Sequence, residues 1–365
     1  MTGLLPEGFH DRLPPAADAA ALLEARVLGV ARLYGYEQVD PPLAEFADEL
    51  GARLKAGGLR DAVRFIDPVS QRTLAIRPDL TAQVGRIAVT RMGHHPRPVR
   101  LSYAGPVLKL AASELNPQRA MRQIGCELIG LDSVAAAREV VGVAIEALGA
   151  AGVTGLSLDF TLPDLVDTLA GDALDAGQLG LLRERLDAKD AGGVAAIDPR
   201  YLPLIEAAGP FDAAMARLRA IDAGNALASR LDGLAEIAAG LGGQAALTLD
   251  PTERHGFEYQ TWLGFSIFAR GARGEIGRGG SYTIIHPDGR EETAVGFSLF
   301  ADPILDAGLA SEERRRLFLP FGTPAEAGAK LRAEGWVTVA ALEPGDTPEA
   351  QLCSHVLDDG AVKPI

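Results

Sequence analysis

Apolar residues recur at helical spacing through "DAAALLEARVLGVARLYGYEQV", which predicts an amphipathic helix from about Pro15 to Leu33. "YGYEQVDPPLAEF" then reads as a strand ended by the proline pair Pro41 and Pro42. "VRFIDP" and "RTLAIRP" are short apolar runs split by turn residues, which predicts a hairpin. Helical periodicity returns in "DLTAQVGRIAVTRM". "VRLSYAGPVLKL" and "RQIGCELIG" read as strands with an irregular segment between them. "SVAAAREVVGVAIEALGAAG" predicts a helix ending at Gly152, with the strand "LSLDF" after it.

From about Leu162 to Leu247 alanine, leucine and charge dominate and strand formers are few, the pattern of a helical insertion. Strand character resumes in "GFEYQTWLGFSIFARG", "GEIGRGGSYTII" and "ETAVGFSLFADPI". The tail from about Arg314 reads as strand, helix, strand, and "SHVLDDGAVKPI" adds one last short strand. The expected division is residues 1–161 as the first part of a core, 162–248 as the insertion, 249–310 as the second part of the core, and 311–365 as a short βαβ-like segment. The order of elements predicts an α+β fold with a mixed, mainly antiparallel sheet flanked by helices. "GRGGSY" is expected as a glycine cluster between strands with no helix after it, so it is not a dinucleotide or phosphate-loop fingerprint.

Composition narrows the classes. The chain has 365 residues, 47% hydrophobic and 23% charged, enough for a large buried core. No apolar run reaches about 18 residues, so no membrane span is expected. The start "MTGLLPEGFHDRLPP" lacks a basic region followed by an apolar stretch, so no signal peptide is expected either. Cys126 and Cys353 are too few for a disulfide framework or a zinc site, and both are expected as buried small hydrophobes in a cytoplasmic protein. The net charge of −14 counts mildly against a nucleic-acid partner. "RERLDAKD" and "SEERRRLF" mix signs and read as solvated helix faces. No residue cluster calls for a metal or a cofactor.

Taken together, "LPEGFHDRLP", "YGYEQVDPPLAEF", "RTLAIRPDLTAQVGR", "GPVLKLAASELNPQRAMRQIGCELIG", "HGFEYQTWLGFSIF", "GRGGSY" and "AVGFSLFADPIL" resemble, in order, the segments of the histidyl-tRNA synthetase catalytic core. The resemblance covers roughly residues 1–310 and implies a class II aminoacyl-tRNA synthetase-like core. It also implies a site with two halves. In the amino-acid half, Asp79 and Thr81 match the acid and hydroxyl placed for an α-ammonium. Gln123 and Glu127 match the glutamine and glutamate that contact the ligand. Tyr259 and Tyr282 match aromatic positions, while the tyrosine expected next to Tyr259 is Gln260. The family's arginine for the carboxylate and phosphate aligns with His255, and the neighbouring Arg254 takes its place if the alignment slips by one.

The nucleotide half departs from the family. The second motif should supply a phenylalanine, an arginine and a glutamate, and the chain has Leu108, Lys109 and Ala111 there. The third motif's adenine-stacking arginine falls on Pro303. Charged hydrogen bonds contribute about 1.5 to 3 kcal/mol each, and lysine does not copy arginine's planar fork. Losing two or three such contacts removes roughly 3 to 9 kcal/mol, or about 10² to 10⁶ in affinity. The resemblance therefore narrows to the ATP phosphoribosyltransferase regulatory subunits, synthetase paralogues that are not themselves catalytic. It implies a short-form catalytic subunit as partner, L-histidine as effector, and a homodimer inside a hetero-oligomer, with no tRNA bound. The alternatives are an active histidine–tRNA ligase and an amino-acid sensor for another partner. The residues themselves also admit plainer roles. Asp79 suits a helix N-cap. Gln123 and Glu127 are four apart, hence on one face of a strand, and suit internal hydrogen bonding.

Overall fold

A computed structural model describes residues 5–51, 62–111, 118–254, 259–310 and 315–365. They divide into two compact units, Met1–Ala310 and Ser311–Ile365.

In the first unit the elements run α1 (Ala16–Leu33), β1 (Glu37–Gln38), β2 (Ala44–Phe46), α2 (Ala47–Gly51), β3 (Arg64–Ile66), β4 (Thr73–Ile76), α3 (Thr81–Thr90), β5 (Val99–Leu108), β6 (Ala120–Ile129), α4 (Val134–Ala150) and β7 (Leu156–Thr161). A mainly helical stretch follows: α5 (Leu165–Ala170), α6 (Ala176–Asp187), α7 (Ala191–Ile197), a 3₁₀ helix over Pro199–Ala207, β8 (Gly209–Pro210), α8 (Phe211–Ile221) and α9 (Ala228–Gly240). The unit closes with β9 (Ala246–Leu249), β10 (Gln260–Ala269), β11 (Gly277–Ile285), β12 (Glu291–Phe300) and α10 (Ala301–Asp306).

One nine-stranded sheet organises this unit, in the order β1-β5-β6-β12-β11-β10-β7-β9-β8. Its middle pairings, from β5 through β7, are all antiparallel, and only β1–β5 and β7–β9 are parallel. Side chains alternate across the strands, so the sheet has two distinct faces. On one, Ile124, Cys126 and Leu128 of β6 and Val295, Phe297 and Leu299 of β12 join α1, α4 and the helical stretch in a single core. Full burial of each large apolar side chain contributes about 1.5 to 3 kcal/mol. α4 starts where its pattern predicts, because Ser133 accepts a hydrogen bond from the Ala136 amide, a cap worth about 1 kcal/mol. On the other face, Leu101 and Tyr103 of β5, Ile129 of β6 and Tyr282 and Ile284 of β11 pack with Leu80, Val84 and Ala88 of α3.

A small three-stranded sheet, β2-β4-β3, braces the start of α3. Glu45 on β2 accepts from Gln83 (2.9 Å) and from the Arg86 guanidinium. The buried Arg77 reaches the carbonyls of Pro41 (2.7 Å) and Pro106 (2.8 Å). That arrangement corrects one expectation. The proline-ended segment is not one strand: Glu37–Gln38 joins the large sheet and Ala44–Phe46 the small one. The glycine cluster "GRGGSY" is likewise not between strands but inside β11.

The second unit holds β13 (Arg316–Leu319), α11 (Ala325–Ala333), β14 (Val337–Ala340), β15 (His355–Asp358) and β16 (Ala361–Pro364). Its sheet order is β14-β13-β15-β16, with both neighbours of β13 parallel to it. The expected last strand is a hairpin of two strands. Asp358 pairs with Ala361, and Asp359 and Gly360 make the turn with φ of 50° and 78°, the two positive values that an Asp-Gly type I′ turn uses. Cys126 is buried as expected, whereas Cys353 is partly exposed. Among the described residues no helix is long and apolar enough to cross a membrane.

Candidate functional site

The α3-facing side of the sheet carries a continuous hydrogen-bonded row. Register places its members. Leu101, Glu127, Gly296 and Gly280 are successive partners across β5, β6, β12 and β11, and Tyr103, Gly125, Ser298 and Arg278 form the adjoining row on the same face. Gly296 is needed because a Cβ there would collide with the Glu127 carboxylate. Gly125 is needed because a Cβ would collide with the Tyr103 phenol.

Glu127 sits at the centre, 1% exposed. Tyr103 donates to Glu127 Oε1 at 2.9 Å and Tyr282 donates to Oε2 at 2.7 Å. Burial pushes the Glu127 carboxyl up to about 8, although both phenols and Thr81 favour its charged form. The same burial, with Glu127 beside them, raises the Tyr103 and Tyr282 phenols.

Gln123 links this carboxyl to α3. Its Nε2 donates to Ser298 Oγ (2.7 Å) and to Asp79 Oδ2 (2.8 Å), and its Oε1 accepts from the Leu80 amide (3.0 Å). Ser298 Oγ lies 3.0 Å from the Tyr103 oxygen and Thr81 Oγ1 lies 3.3 Å from it. Both N–H groups of Gln123 are thus spent inside the protein, so it braces the site in this form. Asp79 Oδ1 accepts from the Thr81 amide at 2.7 Å, which satisfies one of the free donors at the start of α3. With each oxygen taking one bond, Asp79 keeps acceptor capacity for a ligand. Tyr259 stands edge-on to Tyr282, ring centroids 6.1 Å apart, and burial raises its phenol too.

The structure therefore brings together Asp79, Thr81, Gln123, Glu127, Tyr259 and Tyr282. Arg254 joins a different group: its amide bonds Asp187 Oδ1 (2.8 Å) and its charge bears on Arg183. His255 lies outside the described residues. Tyr103 and Ser298 are two members that sequence reasoning missed. The alternation through Val99, Leu101 and Tyr103 gives the face of Tyr103, but only the long-range register puts it beside Glu127 and Ser298.

Thr81, Glu127, Tyr259, Gln260, Gly280 and Tyr282 line a cavity of about 10 Å³, room for roughly one water. In this form Asp79, Thr81, Gln123, Glu127 and Tyr282 bond within the protein, and the cavity is too small for an amino acid.

At the other end of the β5–β6 hairpin, Lys109 makes an isolated bridge to Ala62 and Ala111 is exposed. Pro303 lies in the first turn of α10. Just before it, the buried Asp302 pairs with Arg12 and accepts from the Arg122 amide at 2.9 Å. Arg122 in turn pairs with Glu24. Arg119 lies over the Phe9 ring, 4.9 Å from its centroid. Arg12, Asp302, Arg122 and Glu24 are thus tied into ion pairs within the chain. Among the described residues no group of three or more potential ligands holds a metal site.

Comparison with known proteins agrees with this fold. The family model for histidyl-tRNA synthetase matches residues 8–304. An ATP phosphoribosyltransferase regulatory subunit of Rhodospirillum centenum is 41% identical, covering 99% of this chain and 96% of that protein. One from Paramagnetospirillum magneticum is also 41% identical, covering 99% and 97%. A Bacillus halodurans structure described as an ATP phosphoribosyltransferase regulatory subunit/histidyl-tRNA synthetase superposes with a TM-score of 0.79 at 21% identity, covering 96% of each chain. The histidyl-tRNA synthetase of a Nostoc species gives 0.79 at 15% identity, covering 99% of this chain and 92% of that one. The chain, with its synthetase fold and its closed pocket around Glu127, belongs to the family of ATP phosphoribosyltransferase regulatory subunits.

Proposed function

We propose that this chain is the non-catalytic regulatory subunit of ATP phosphoribosyltransferase, required by a short-form catalytic subunit and carrying feedback inhibition by histidine at the first step of L-histidine biosynthesis. The observation that carries the reading is the contrast between the two halves of the site. Asp79, Gln123, Glu127 and Tyr282 keep a connected acceptor-rich pocket. Lys109, Ala111 and Pro303 stand where a synthetase grips its nucleotide, and Asp302 is occupied by Arg12. Adenylation needs charge neutralisation and in-line geometry held together, and that set of groups is gone. Acceptors at Asp79, Thr81 and Glu127 suit an ammonium and a ring N–H.

Regulation by a ligand requires two states with different affinity for it. The closed cavity is one such state. An amino acid enters only in a second, more open state, and the assembly that favours that state binds histidine better. In this reading residues 162–248 are an insertion in the core, residues 311–365 a short appended segment, and two copies form a synthetase-like dimer inside a hetero-oligomer with the catalytic subunit. Neither tRNA nor a cofactor has a part.

The test is reconstitution. Purified chain added to a short-form catalytic subunit should raise phosphoribosyl-ATP formation, and histidine should then suppress it. No rise on addition would refute the regulatory reading. Histidine-dependent pyrophosphate exchange into ATP by the chain alone would support an active ligase instead.

A further inference from the structure

Gln123 is expected to contact the ligand, yet in this form Ser298 lines the cavity and Gln123 does not. Both side chains are buried. Gln123 Oε1 accepts from the Leu80 amide at 3.0 Å, and that bond orients the amide, so Nε2 is the end that faces Asp79 and Ser298. Nε2 carries two N–H groups. Asp79 Oδ2 takes one at 2.8 Å and Ser298 Oγ takes the other at 2.7 Å.

The Ser298 hydroxyl is a joint with a fixed direction. Tyr103 has one phenol proton and gives it to Glu127 Oε1 at 2.9 Å. Its oxygen, 3.0 Å from Ser298 Oγ, can then only accept there. Ser298 therefore accepts from Gln123 and donates to Tyr103, and the bonds run from Gln123 through Ser298 and Tyr103 to Glu127. The sheet register makes the joint possible. Ser298 pairs directly with Gly125, and Gly125 with Tyr103. With no side chain at Gly125, the Tyr103 phenol crosses over it. Gln123 lies two residues along β6, the diagonal position, within reach of a long side chain. The hydroxyl thus ties β12 to β5 and β6 and, through Gln123, to the start of α3.

We infer that Ser298 is a positioning residue that holds the pocket in its closed form by keeping the second Gln123 N–H away from the cavity. This deepens the proposed use of the pocket for histidine and rests on it. A ligand that takes this N–H must first break its bond to Ser298, so the closed form competes with the ligand for one donor. Without the hydroxyl that cost is gone and the N–H is free to face the ligand. Thr81 Oγ1 stays 3.3 Å from the Tyr103 oxygen, and the bond from Tyr103 to Glu127 does not involve Ser298. Loss of the hydroxyl should therefore move stability and affinity in opposite directions.

Calorimetry with histidine and urea unfolding of wild type, Ser298→Ala and Ser298→Thr test it. Ser298→Ala should lower the urea midpoint and bind histidine about tenfold more tightly, as expected for one hydrogen bond no longer broken on binding. Ser298→Thr keeps the hydroxyl and should return both readings toward wild type. A side chain that only supports the fold would lower stability without raising affinity. Equal or weaker binding by folded Ser298→Ala therefore overturns the inference and leaves the pocket reading standing. A crystal structure of wild type with histidine needs no variant. Gln123 Nε2 should part from Ser298 and turn to the ligand, and a bond kept at 2.7 Å overturns the inference. Binding by Ser298→Ala alone supports it. Absence of histidine binding in all three proteins overturns the pocket reading and this inference with it.

Discussion

Tyr103 donates its phenol proton to Glu127 across 2.9 Å, from a strand 24 residues earlier in the chain. The same oxygen is close to Ser298 and Thr81, so one hydroxyl joins three elements on one face of the sheet. Tyr103→Phe removes the donor to Glu127 and leaves a buried acceptor short. The expected cost is about 1 to 3 kcal/mol, seen as a lower urea midpoint. Histidine binding should weaken as well, because the carboxylate loses its orientation. Unchanged stability and affinity would show that Tyr103 only fills space.

The Glu127 carboxyl has an ordinary value of 4.5 and is raised to about 8 in the folded protein, chiefly by burial. The folded state then holds this proton more tightly than the unfolded chain does. Stability from the site is fullest below the ordinary value and is lost as pH rises through about 8. The difference is on the order of a few kcal/mol. Glu127→Gln should flatten the stability profile between those limits relative to wild type, measured by urea unfolding across the range. A cationic or N–H-rich ligand favours the charged carboxylate. Histidine uptake near neutral pH should therefore release a proton, read from calorimetry in two buffers of different ionisation heat.

Gly296→Ala tests the close approach under Glu127. The added methyl would meet the Glu127 carboxylate and the Cys126 carbonyl, 2.8 Å away. Overpacking of this kind typically costs about 1 to 3 kcal/mol. Thermal unfolding should show the loss, and histidine affinity should fall more than tenfold. A variant as stable as wild type would mean that the carboxylate has room that the structure does not give it.

The nucleotide half should resist partial restoration. On the proposed reading, Lys109→Arg combined with Ala111→Glu returns two synthetase side chains, yet Pro303 still lies in the first turn of α10 and Arg12 still holds Asp302. Histidine-dependent pyrophosphate exchange should stay absent from the double variant. Its appearance would place the loss of activity in those two side chains alone.

Much of this was legible before any coordinates. The 3.6-residue pattern located α1 almost to the residue, because a long amphipathic face leaves little freedom. The segment resemblance picked out Asp79, Gln123, Glu127 and Tyr282, which share one hydrogen-bonded row. Gln123 and Glu127 had to share a face, since strand side chains alternate. Tyr103 and Ser298 were not legible, because they meet only through pairings 195 residues apart in sequence. The glycines of β11 misled for a related reason. Glycine usually marks a turn, but Gly279 is there to admit the Phe265 ring and Gly280 to admit the Gln260 amide, contacts that no local pattern announces. The Asp359–Gly360 turn, by contrast, carries a local signal as an Asp-Gly pair, yet the segment is expected as one strand and forms two.

The account turns on a retained amino-acid pocket with Glu127 at its floor. Histidine titrated calorimetrically into wild type and Glu127→Gln, each shown folded by thermal unfolding, tests this most directly. Wild type should bind, and the variant should bind about 10 to 100 times more weakly, the loss of a charged hydrogen bond. Equal affinities would move the effector site away from this pocket and contradict the account.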